Sequence, residues 1–166
     1  RVANCHFNDP PKTRLPTAAC FTSIEARPGE QLYFAGGDIE AAFYRIQAPE
    51  GARQFFTLPP IRAKHVGVTS VGGQKVSADT LITPRLTVLP MGWSWALWIC
   101  QKLHEEVGRR VKQPDSTLLA DRRPPVPMTP HNLVHAKYVD NFLCISHDPS
   151  VAGSASNALT NALNTE

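Results

Sequence analysis

"AKYVDNFLCIS", residues 136–146, is the stretch on which the fold turns. Two short apolar runs flank a polar pair, the pattern of two strands folded back on one another. The strands read as "HAKYV" and "FLCIS", with Asp140-Asn141 as the turn. Asx side chains satisfy turn backbone and tolerate unusual dihedrals, so a polar pair there is ordinary. Asp140 is then either only a turn residue or a carboxylate held out for chemistry, and its neighbours in the fold decide between the two.

Downstream, "DPSVAGSASNALTNALNTE" carries Val151, Ala155, Leu159 and Leu163 at helical spacing. Upstream, "WSWALWICQKLHEEVGRRVK" predicts a long helix. Its apolar stripe is Ala96, Cys100, Leu103, Val107 and Val111, and Pro114 ends it. Its charges, with Asp115 and with Asp121, Arg122 and Arg123 of the Pro-rich segment "DRRPPVPMTP", read as a solvated face. Earlier still, "QLYFAGGDI" predicts a strand, "EAAFYRI" a helical turn and "RQFFTLPPI" a second strand. Residues 64–84 predict a hairpin turning at Gly72-Gly73. Residues 1–30 are polar and Pro-punctuated, with one short helix expected near Thr17 to Glu25. The order is that of an α+β protein. His131 and His135 are four apart, but they follow a Pro-rich loop and read as solvated rather than metal-binding.

With 166 residues the chain can bury one substantial core. The 17 basic and 14 acidic residues leave a net charge of +3, too mild to imply a nucleic-acid partner. No Lys or Arg follows Lys137, so any phosphate-holding surface belongs to the earlier part. The four cysteines show no CxxC spacing, which favours reduced thiols and an intracellular site, cytoplasm or nucleus. The longest apolar run, around "MGWSWALWIC", is too short to span a bilayer, so no membrane partner is expected. The opening "RVANCHF" has neither an initiator Met nor a signal-peptide pattern, and the chain reads as cut from something longer.

Three segments carry candidate chemistry. In "GGDIEAAFYRI" Asp38 ends a strand beside backbone that can approach a ligand closely. "LPMGWSWA" leads into the long helix, and "YVDN" holds Asp140. Two carboxylates delivered from separate strand ends can hold a pair of divalent cations, the demand of phosphoryl and nucleotidyl transfer. Mg²⁺ prefers few carboxylates and fills its octahedron with phosphate oxygens and water.

"DIEAAFYRI", "LPMGWSWA" and "YVDN", in that order, resemble the A, B and C motifs of reverse transcriptases of the retrovirus and LTR-retrotransposon type. "RVAN" followed by "PPKTRLP" is similar to the end of that family's fingers segment. The resemblance implies a polymerase palm, an antiparallel sheet packed on helices, with part of the fingers. Residues 1–30 would be partial fingers and 31–166 mainly palm, with a fingers insertion at 54–88, all in one partial domain. Asp38 and Asp140 would be catalytic ligands of Mg²⁺ or Mn²⁺, with the Ile39 carbonyl as a further ligand. Phe43 would be the steric gate under the sugar, Met91 and Gly92 would line the nucleotide, and Tyr138 would lie near the primer end.

The implied activity is RNA-directed DNA polymerisation by two-metal nucleotidyl transfer onto a primer 3′-hydroxyl. Its partners would be an RNA or DNA template with primer, deoxynucleoside triphosphates, and the parent's thumb and ribonuclease H domains. Without those parts, the chain alone is expected to be inactive. Met91 stands where many of these enzymes carry Gln, and Ala41 where an acid is frequent. The larger departure is Asn141, where the family's usual residue is a second Asp. Two readings follow: Asp38 and Asp140 suffice, as in viral RNA polymerases with Gly-Asp-Asn, or the chain is an inactive relic that binds nucleic acid or protein.

Overall fold

A computed structural model describes residues 3–24 and 28–165. Arg1 and Val2 of "RVAN", and Glu25 at the end of the first expected helix, lie outside the described residues. The chain forms α1 (Ala18–Phe21), β1 (Tyr33–Asp38), α2 (Ala42–Arg45), α3 (Glu50–Arg53), β2 (Ile61–Arg62), β3 (Ser70–Val71), β4 (Gln74–Lys75) and β5 (Leu81–Ile82). It continues through α4 (Ser94–Arg110), β6 (Leu118–Leu119), β7 (Val134–Tyr138), β8 (Asn141–Ser146) and α5 (Pro149–Leu163). This is an α+β fold. Among the described residues, no helix is long and apolar enough to cross a membrane.

The chain divides into two compact units. One takes the described residues up to Asn8 together with Phe43–Ala96; the other takes Asp9–Ala42 and the described residues from Leu97 onward. In the first unit, Phe7, Phe55, Phe56 and Trp93 form an aromatic cluster with centroids 5.0 to 6.1 Å apart. Asn4 holds the Gly92–Ser94 corner, donating to the Gly92 carbonyl at 3.0 Å and accepting from the Ser94 N–H at 3.1 Å. The Gly72-Gly73 hairpin is present between β3 and β4, with both glycines at positive φ as a I′ turn requires. The strand expected over "RQFFTLPPI" is not. Arg53 instead ends α3, and Thr57 makes a lone bridge to Arg85. Pro59 and Pro60 have no N–H to offer a ladder, so pairing resumes only at β2.

The second unit is built on a four-stranded sheet in the order β1-β8-β7-β6. β8 pairs antiparallel with both β1 and β7, whereas β6 runs parallel to β7. The sheet is therefore mixed, not antiparallel throughout. The sequence hides β6 because two residues, Leu118-Leu119, carry no readable period. Alternation gives the sheet two faces. Phe142, on one of them, is buried with Val107 of α4 and Leu159 of α5. On the other, Ile145, Val134, Ala136 and Leu119 pack with Val126 of the Pro-rich loop, and Cys20 and Ile24 lie against them.

The long helix ends and faces otherwise than its sequence predicts. It runs from Ser94 and stops at Arg110, short of Pro114. The stop is a Schellman-type cap built on lysine. Lys112 adopts φ 64°, Gln113 N–H donates to the Gly108 carbonyl at 2.9 Å, and Lys112 N–H to the Arg109 carbonyl at 3.1 Å. Ala96, Cys100 and Val107 are buried as expected, but Leu103 is 45% exposed. Its place inside is taken by Gln101, His104 and Glu105, all buried. Glu105 therefore leaves the solvated face assigned to it, while Arg109, Arg110 and Lys112 stay exposed. α5 is capped by Asp148, whose Oδ1 accepts from the Ser150 N–H at 2.8 Å, and Pro149 occupies its first position.

Candidate functional site

The hairpin of residues 134–146 turns one residue earlier than its polar pair suggests. β7 ends at Tyr138, β8 begins at Asn141, and Val139-Asp140 make the turn. Val139 carries φ 55°, a left-handed conformation that is unusual for a β-branched residue and costs of order 1–3 kcal/mol. Asn141 is therefore a strand residue, with Tyr138 as its Cα partner on one side and Asp38 on the other. Directly opposed residues in a ladder share a face. Tyr138, Asn141 and Asp38 thus form one row across three strands. All three are exposed, and Asp140 is half-buried beside them. Past the end of β1, Ile39 N–H donates to the Asp140 carbonyl at 2.8 Å.

Asp38, Ile39, Tyr138, Asp140 and Asn141 are in this way gathered at one end of one sheet. Phe43, Met91 and Gly92 belong to the other unit. There Phe43 is half-buried in α2, Met91 is exposed, and Gly92 has φ 89°. Glu40 does not sit on the strand at all but in the turn after it, beside Ala41 at φ 53°.

The approach of the β1 and β8 backbones at this end depends on two glycines. A Cβ on Gly36 would collide with the Phe142 carbonyl oxygen, and one on Gly37 would meet the Phe142 ring at 3.0 Å. The Gly-Gly that reads in sequence as an approach for a ligand is filled by the neighbouring strand.

Two oxygen donors of the hardest kind, the Asp38 and Asp140 carboxylates, stand on neighbouring chain segments, a donor set that suits Mg²⁺. The Ile39 carbonyl accepts from Ala42 N–H at 3.2 Å, and a carbonyl oxygen carries a second lone pair that could face a ligand. Asn141 does something that its charge alone does not predict. Its Nδ2 donates to Asp140 Oδ1 at 2.9 Å, so it braces the carboxylate. Among the described residues, no group of three or more His, Cys, Asp or Glu side chains converges on one point.

Beneath the hairpin lies a buried polar network that sequence reasoning missed. Lys137 is 1% exposed on the helix-facing side of β7. Its Nζ donates to Gln113 Oε1 at 2.9 Å and to His135 Nδ1 at 2.8 Å. His135 is equally buried, and its Nε2 donates to the Pro114 carbonyl at 3.0 Å, so the solvated-loop reading holds for exposed His131 but fails for His135. Gln101 and His104 reach the turn itself: Gln101 Oε1 accepts from Val139 N–H and His104 Nδ1 donates to the Val139 carbonyl. The one available signal was three polar residues and a glycine at helical spacing, Gln101, His104, Glu105 and Gly108, facing a strand that carries a lone Lys.

Burial pushes the Lys137 ammonium down to about 8, and holds His104 and His135 at about 4. The thiols of Cys100 and Cys144 are pushed up to about 11 by the same burial. A histidine held below its unfolded value of about 6.5 contributes stability that is fully present above pH 6.5. That stability is lost as the unfolded chain takes up protons between pH 6.5 and 4. Each such shift corresponds to about 3 kcal/mol. The urea midpoint is expected to drop steeply from pH 6.5 to 4.5, and to drop less in His104→Asn. A midpoint that stays flat over that range would rule out two buried neutral imidazoles.

Comparison of the chain with protein-family models finds no matching family, and comparison with curated proteins finds no matching relative.

Proposed function

We propose that this chain is the palm, with part of the fingers, of an RNA-directed DNA polymerase from a retroelement acting inside the cell. The observation that carries the reading is the delivery of Asp38 and Asp140 to one end of a sheet by the β1–β8–β7 pairing. They come from the first and last of three motif-like segments that stand in order along the chain. Asp38 and Asp140, with the second lone pair of the Ile39 carbonyl, would hold Mg²⁺ or Mn²⁺. Bound there, the cations would supply Lewis-acid stabilisation of the charge that develops in nucleotidyl transfer.

The chain's own groups do the rest. The β1–β8 ladder sets the spacing of the two carboxylates, and Asn141 braces Asp140 without adding a third negative charge. Tyr138, exposed in the same row as Asp38, offers a ring beside the carboxylates for the primer end. Phe43 would limit the sugar to a deoxyribose, and Met91 and Gly92 would face the incoming deoxynucleoside triphosphate. Template and primer are the nucleic-acid partners of this reading.

A second reading is favoured by one observation, the bond from Asn141 to Asp140, which occupies a carboxylate oxygen. In it the chain is an inactive reverse-transcriptase-like relic that binds nucleic acid or protein. Primer extension separates the two. It would be run with the 166-residue chain, and with that chain extended by whatever its gene encodes on either side. The polymerase reading expects Mg²⁺-dependent extension from the longer chain, abolished by Asp38→Asn. No extension from any length, with Asn141→Asp also silent, leaves the relic.

A further inference from the structure

The Val139–Asp140 turn is gripped on its inner side by α4. Gln101 Oε1 accepts from the Val139 N–H at 2.8 Å. His104 Nδ1 donates to the Val139 carbonyl at 3.0 Å, and Cys100 Sγ approaches the same oxygen at 3.7 Å. Both polar groups of one residue, and that residue at φ 55°, are thus fixed by a single helix. Gln101 is itself fixed, its Nε2 donating to the Lys137 carbonyl at 3.1 Å and to Glu105 Oε1 at 2.9 Å.

We propose that Gln101 and His104 are positioning residues: together they hold Val139 in its left-handed conformation and so aim the Asp140 carboxylate at the cation it shares with Asp38. This rests on the metal-site reading above.

The choice of side chains argues for that role over packing. Gln101 and His104 stand three residues apart on one face of α4, and both are fully buried. His104 Nε2 is buried with no partner among the described residues. Among the described residues, the bond to Val139 is therefore the hydrogen bond for which a polar ring stands at a place where a leucine would pack with less cost. A positive φ at a β-branched residue persists only where its surroundings over-determine it, and two opposed hydrogen bonds to the same residue do that. On the far side of the turn the Asp140 carbonyl is taken by Ile39 N–H, and its Oδ1 by Asn141. The α4 pair sets where Asp140 begins, and β1 with Asn141 sets where it ends.

The test uses the 166-residue chain, Mn²⁺ as the cation, and amide exchange followed residue by residue in the metal-free protein. His104→Leu is the informative variant, because it leaves the direct acceptor of the Val139 N–H in place. Exchange at Val139 is expected to rise at least tenfold more than at Ala136 or Ile145 of the same hairpin. Mn²⁺ affinity is expected to fall about tenfold. Gln101→Met should do the same, while His104→Asn, whose Nδ2 lies near the position of Nδ1, should restore both properties. Equal acceleration along the whole hairpin would reduce the pair to packing and overturn the proposal. So would unchanged Mn²⁺ affinity in a variant whose turn has loosened. If the unsubstituted chain takes up no Mn²⁺, the metal reading falls separately, and the exchange pattern still decides whether the pair holds the turn.

Discussion

Gly108→Ala is expected to destabilise the protein by about 3 kcal/mol, although a glycine-to-alanine exchange inside a helix ordinarily gains about 1 kcal/mol. Gly108 sits in the last turns of α4, and the space its missing side chain leaves is filled by Lys137. A Cβ there would overlap Lys137 Cε and come within 2.6 Å of Nζ. The tip of a lysine is normally free to swing away. This one is buried and bonded to both Gln113 and His135, so moving it strands a charge and two acceptors. Removing one partner from a buried charge costs on the order of 3–5 kcal/mol.

A double-mutant cycle separates this from any intrinsic defect of Ala at position 108. Lys137→Val suits a strand and removes the obstructing atoms. It costs several kcal/mol by itself, because the hydrogen bonds of Gln113 and His135 are lost. In that background Gly108→Ala should become neutral or stabilising. Urea midpoints of the four proteins measure the coupling, and an equal cost of Gly108→Ala in both backgrounds would sink the account.

Asn141→Asp should change sign with the metal. In chelator it removes the donor to Asp140 Oδ1 and places a third carboxylate directly across the ladder from Asp38. Like charges in directly opposed positions are destabilising, here by about 1 kcal/mol. With Mn²⁺ present the added carboxylate becomes a ligand, and affinity rises about tenfold, equivalent to about 1.4 kcal/mol. Since a ligand that binds only the folded state stabilises it by mass action, the order of the two melting temperatures reverses as Mn²⁺ is raised. Asp38→Asn should move oppositely in both conditions. Thermal unfolding of all three proteins, in chelator and in millimolar Mn²⁺, provides the comparison. Asn141→Asp melting above the parent chain in chelator would refute the bracing role of Asn141.

The α+β class, the hairpin, the long helix and the last helix were legible because each rests on a local apolar pattern. The proximity of Asp38 to Asp140 was not. It follows from the pairing of β1 with β8 across a long sequence separation, which no local pattern encodes. Leu103 shows a second limit. It completes an apolar stripe, yet the helix turns Gln101, His104 and Glu105 inward, where β7 and its turn offer three backbone groups, the Lys137 carbonyl and the Val139 N–H and carbonyl. Polar atoms went inside where partners waited for them, and hydropathy is blind to that. Lys137, the last cation in the sequence, is buried for the same reason.

The polar network also bears on how the hairpin finds one alignment. Alternating side chains alone leave the turn free to fall at Val139-Asp140 or one residue later, and either choice keeps apolar residues on a face. A slip of β7 by one place would rotate Lys137 and His135 out of the interior and bring Tyr138 in. Gln113 Oε1 would lose its Lys137 donor, and Gln101 would lose its bonds to Val139 and Lys137. Such a half-satisfied arrangement is worse than an apolar core would be, which makes the wrong alignment steeply unfavourable. The buried charge makes the second alignment untenable and leaves the two carboxylates a single place to meet.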